Sequence, residues 1–163
     1  MTLDLTILTL AEALVERKAL KLRLDNLRER LALNARVQEG DMPSEAPDVL
    51  LAEVERVAGD MERLIVAINR TNVATVLSGD DGFTLMQAIA RRDILALRQT
   101  VLEHTITAAT TTRERWAVTR NEVRSQPTVD VAQLQNDVDA LAKARRELDT
   151  RLQAANWATR LVA

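Results

Sequence analysis

Apolar residues stepping alternately by four and three constrain this chain more than any other feature. Leu10, Leu14, Arg17, Leu20, Leu24, Leu27, Leu31 and Asn34 form one such row. Leu50, Val54, Val57, Met61, Leu64, Ile68 and Asn72 form a second. Leu134, Val138, Leu141, Arg145, Leu148, Leu152 and Ala155 form a third. This heptad spacing keeps one stripe of a helix facing a neighbour along its whole length, so it predicts long helices packed side by side.

Composition removes the alternatives. Apolar residues make up 47% of the 163 positions but aromatics only 2%, so the core must be built from aliphatic side chains. Four Gly and three Pro are too few to turn many short strands. The chain is therefore read as one all-α domain over residues 1–163. Long antiparallel helical hairpins are expected to form a four-helix, coiled-coil-like bundle.

Local signals place the helices. Thr9 with Glu12 makes a capping box for a helix over about 9–38, which Gly40 and Pro43 end. The short acidic linker to Pro47 makes the next helix, about 46–77, antiparallel to the first. Ser78 to Gly82 reads as a turn, with Thr84 and Gln87 capping a third helix over about 84–109. Its stripe is Leu85, Ile89, Leu95, Leu102 and Ile106, interrupted by Arg92 and Gln99, so it should be less buried than the first two. Asp130 caps the last helix, about 130–160, with Gln133 at the capping-box position.

The segment 110–129 departs from this pattern. Three threonines lower its helix propensity, and Trp116 and Val118 alternate with polar residues. A short β-hairpin, or an extended arm, is expected at about 112–128. Arg113, Arg115, Trp116, Arg120 and Arg124 make it a candidate interface arm, since Trp and Arg are favoured anchors at protein contacts. The same residues could stack on bases and grip phosphates. Their local excess of charge is small, however, and one aromatic is a thin platform.

A second candidate set is polar. Asn34, Asn72 and Asn156 each continue an apolar stripe near the end of a helix. Buried Asn must be hydrogen-bonded, and one such residue can fix register or oligomeric state. Asn69, Arg70, Thr71 and Asn72 form a compact polar cluster suited to an inter-helix network or, less readily, an anion with Arg70 as the charge. Antiparallel pairing puts Asn34 and Asn72 at opposite ends of the first hairpin, while Asn156 could join either end.

Several chemistries find no residues. There is no cysteine, so thiolate metal sites, disulfides and Cys nucleophiles are excluded. One His, His104, does not make a zinc site or a triad, and it reads as a surface or satisfied polar residue. Asp80 and Asp81 lack EF-hand spacing. No P-loop or dinucleotide fingerprint occurs. No enzyme activity, cofactor or metal is expected. The net charge of −2 gives no general pull toward nucleic acid or anionic lipid. The apolar start, Leu3 to Leu14, has no basic n-region and is broken by Asp4 and Glu12, so a cytoplasmic protein is expected.

Five short stretches together resemble a known family. They are Leu10-Ala11-Glu12-Ala13-Leu14, Asn34-Ala35-Arg36-Val37-Gln38-Glu39-Gly40, Asn69-Arg70-Thr71-Asn72, Thr128-Val129-Asp130-Val131 and Gln153-Ala154-Ala155-Asn156-Trp157. The chain resembles, over nearly its whole length from Leu10, the small bacterial helical proteins of unknown function that carry the name septicolysin. The resemblance implies a helical fold, and the name implies a pore-forming cytolysin. It brings no catalytic or ligand residues. The residues themselves favour a non-enzymatic, self-associating helical protein, a homo-oligomer, over a membrane-active one or a nucleic-acid adaptor.

Overall fold

The computed structural model describes residues 5–79, 82–111 and 126–162. They contain a single 3-10 turn, Leu5–Ile7, and four α-helices: α1 (Leu10–Asn34), α2 (Pro47–Ala74), α3 (Leu85–Thr110) and α4 (Val131–Ala158). The fold is all-α, as the heptad rows predict, and no strand occurs among the described residues. The Arg/Trp segment, with Arg113, Arg115, Trp116, Arg120 and Arg124, lies outside the described residues. So do Asp80 and Asp81.

The chain divides into two compact units. The first comprises Met1–Met86 with Gln153–Ala163, and the second Gln87–Leu152.

In the first unit α1 and α2 form a closely packed hairpin. Leu10, Leu20 and Leu27 of α1 are buried with Leu50, Val57, Leu64 and Ile68 of α2. Burying side chains of this size contributes on the order of 1.5–3 kcal/mol each. The predicted row of α1 needs one correction. In its second turn Ala13 is fully buried while Leu14 is 36% exposed. A small residue there brings the backbones together where the chain ends converge.

That convergence is the part the heptads did not foresee. The chain after α4 runs back along the start of α1: the Leu10 N–H donates to the Thr159 carbonyl at 2.8 Å, and the Leu161 N–H to the Leu8 carbonyl at 3.0 Å. Leu161 is buried. Just beyond the C-terminus of α2, at the same end of the hairpin, Leu77 and Phe83 join through one backbone hydrogen bond of 2.7 Å, and Leu85 and Thr75 through another of 2.9 Å.

Helix ends largely follow their caps. Thr9 and Glu12 form the reciprocal capping box, which holds the Glu12 carboxyl below its usual range chiefly through the Thr9 backbone N–H. Asp130 Oδ1 accepts the Gln133 N–H at 3.0 Å. The Gln133 side chain does not reach back, and instead donates to Asp137 at 3.0 Å. α1 stops at Asn34 rather than near Gln38, and α2 at Ala74 rather than Leu77. Asn34 turns its side chain to the connecting segment, and Thr75 is already extended at ψ 124°.

In the second unit α3 and α4 run antiparallel. Arg92 Nε stands 3.8 Å from Asp149 Oδ1, and further along Leu102 and Asp137 line a common groove. Few Cα atoms of α3 approach α4 within 8 Å. Leu95, Val138 and Leu148 are buried in this unit.

Candidate interaction site

Three places have geometry worth weighing: the polar residues of the first hairpin, a charged cleft on it, and an apolar groove in the second unit.

Asn34 is buried and makes three hydrogen bonds. Its Nδ2 donates to the Arg30 carbonyl at 2.9 Å. Its Oδ1 accepts from Ser44 Oγ at 2.9 Å and from the Glu45 N–H at 3.0 Å. This ends α1 and fastens the connection to α2, so Asn34 sets local structure. Asn69 and Arg70 are exposed on α2, while Asn72 and Asn156 are half-buried. Asn34 does lie at the opposite end of the hairpin from Asn72. The contact of Thr159 with Leu10 puts Asn156, one turn earlier, at the Asn72 end. The buried residue of the cluster is Thr71, which the sequence places in it without singling it out. Thr71 has no exposed surface; its hydroxyl donates to the Ala67 carbonyl at 2.8 Å and accepts from the Val162 N–H at 2.9 Å. Asn72 Oδ1 is buried without a hydrogen-bond partner among the described residues.

The charged cleft, about 480 Å³, lies between Arg23, Leu27 and Arg30 of α1 and Leu50, Glu53 and Arg56 of α2. Its arginines are already neutralised. Glu53 takes both Arg23 and Arg56, Arg56 also reaches Asp60 at 2.9 Å, and Arg30 pairs with Glu45. The Arg56 and Arg23 guanidiniums hold the Glu53 carboxyl down to about 2. This is an ion-pair ladder locking α1 to α2 rather than an empty anion site.

The groove in the second unit is different. It has a volume of about 650 Å³ and is lined by Ile94, Leu97, Arg98, Val101 and Leu102 of α3 and by Asp137, Ala140 and Leu141 of α4. Ile94 is 52% exposed, Leu97 61% and Val101 62%. These three fall at i, i+3 and i+7, one stripe of a helix. They form a second row on α3, beside the inward row of Leu95, Gln99 and Leu102. A helix with two apolar rows covers only one of them in a two-helix hairpin. Sequence reasoning followed the inward row alone; the signal for the second was the spacing of Ile94, Leu97 and Val101. The inward row is itself loosely sealed: Gln99 Oε1 and Arg145 Nε are buried with no hydrogen-bond partner among the described residues. Gln99 Nε2 donates to Glu103 at 2.7 Å. His104 is exposed.

Among the described residues, no group of three or more acidic or His side chains is placed to hold a metal ion. No helix among them is long and apolar enough to cross a membrane.

Residues 17–161 match the profile of a family described as "Family of unknown function (DUF6847)". The chain belongs to this family. Its fold is shared by the crystal structure of a functionally unknown conserved protein from Corynebacterium diphtheriae. That protein is 35% identical, and the match covers 95% of this chain and 99% of that one with a TM-score of 0.83. A comparison with curated proteins finds no match. The resemblance read from the sequence is thus sustained at the level of a helical family of unknown function. Nothing in these comparisons carries the cytolysin name.

Proposed function

We propose that this family member is a non-enzymatic, cytoplasmic interaction protein that self-associates through the second unit. One observation carries the reading: Ile94, Leu97 and Val101 are each more than half exposed on the edge of an open apolar groove. Contiguous apolar surface beside a well-formed groove marks an interaction site. A two-helix hairpin whose seam stays open lacks further helices to complete a bundle, and a second copy supplies two.

The size of the effect is modest. Covering the exposed part of each such side chain contributes on the order of 1 kcal/mol. Association must also overcome several kcal/mol of lost rigid-body freedom. Terms of this size favour a weak, concentration-dependent association over a permanent dimer.

The test is Leu97→Asp, compared with the wild type by sedimentation velocity. An aspartate on an exposed helix face leaves the chain folded, so circular dichroism should be unchanged while the larger species disappears. An unchanged sedimentation profile for a wild type that does associate would remove the groove from the interface.

A further inference from the structure

The groove carries one charge of each sign. Arg98 stands on the α3 side and Asp137 on the α4 side. Among the described residues Arg98 forms no ion pair, and Asp137 accepts the Gln133 amide at 3.0 Å and pairs with no cation. Resting on the self-association proposed above, we infer that the occupant is the same groove of a second copy. The two copies are related by a two-fold axis passing near Val101, with Arg98 of each chain paired to the partner's Asp137.

The register of the hairpin leads to this arrangement. Arg92 opposite Asp149 sets the antiparallel level of α4 along α3. In that register Asp137 is level with about residue 104. It therefore lies roughly 9 Å along the axis from Arg98 of its own chain, at about 1.5 Å per residue. A two-fold axis at Val101 reverses α3 onto its partner and carries level 104 onto level 98. The partner's Asp137 then arrives beside Arg98. The same operation places Val101 against its own copy and Ile94 level with the partner's Ala108, a large side chain against a small one.

Charge complementarity selects this occupant. A groove with a cation on one rim and a carboxylate on the other is self-complementary under a two-fold operation, where each contact is made twice and the interface closes. A uniformly charged partner would satisfy one rim and repel the other.

Charge reversal in the full-length chain tests it, with dissociation constants measured by sedimentation equilibrium at low and high salt. Arg98→Asp alone, and Asp137→Arg alone, should each weaken the homodimer by about tenfold or more. In an equimolar mixture of the two variants both cross-contacts of the mixed dimer pair opposite charges, so the mixture should associate with an affinity near that of wild type while each variant alone does not. Arg98→Asp with Asp137→Arg together should restore affinity to within about threefold of wild type, which also shows that the single variants failed by charge and not by folding. Dimers that persist in both single variants would overturn the two-fold pairing while leaving self-association standing. A wild type that never dimerises would overturn both.

Discussion

The hydroxyl of Thr71 accepts the backbone N–H of Val162 at 2.9 Å, joining α2 to a segment 91 residues further along the chain. Thr71 is completely buried and also donates to the Ala67 carbonyl. Thr71→Val keeps the shape and removes both bonds. It should lower stability by about 1–2 kcal/mol. In a chain of this size that lowers the melting temperature by roughly 2–8 °C. An unchanged melting curve would show that the Thr71 hydroxyl contributes nothing to holding the C-terminal segment on the first unit.

Asn34 makes a sharper local prediction. Its three hydrogen bonds end α1 and hold Ser44 and Glu45. Asn34→Ala leaves the Glu45 N–H without its acceptor, at a cost of about 2–3 kcal/mol in the urea midpoint free energy. Amide exchange at Glu45 should accelerate more than exchange in the middle of α2. Equal protection of Glu45 in both proteins would contradict the clamp.

The ion-pair ladder predicts the acid behaviour of the first hairpin. Arg56, and after it Arg23, hold the Glu53 carboxyl at about 2 against an ordinary 4.5. A depressed carboxylate stabilises the fold above its unfolded value and loses that contribution as pH falls toward the folded one. Stability should therefore decline between about pH 4.5 and 2, and Glu53→Gln should flatten that decline. Glu45, lowered by Arg30, adds to it in the same direction. Added salt should shrink the difference between the two proteins, because these groups lie at the surface. A carboxyl at Glu53 that titrates near 4.5 by NMR would contradict the pairing.

Some of this was legible in the residues and some was not, for identifiable reasons. The rows of α2 and α4, that of α1 from Leu20 onward, and the caps at Thr9 and Asp130 are local patterns, and the helices that carry them appear where the spacing puts them. The return of Thr159 to Val162 onto α1 and Thr71 joins positions far apart, and no local rule encodes it. Asn34 looked like a register or capping residue and caps its helix, whereas Asn69 and Arg70 remain on the surface. The groove escaped notice because Arg92 and Gln99 made α3 look like one interrupted stripe. In the folded chain Arg92 reaches Asp149, Gln99 reaches Glu103, and Ile94, Leu97 and Val101 form a stripe of their own.

The central claim is that this stripe and the α3/α4 groove are covered by a second copy. Light scattering on the full-length wild-type chain, at several concentrations through the micromolar range, reads it most directly. The account predicts a mass that rises from about 18.2 kDa toward twice that value as concentration increases. A mass that stays at the monomer value across the whole range would contradict it.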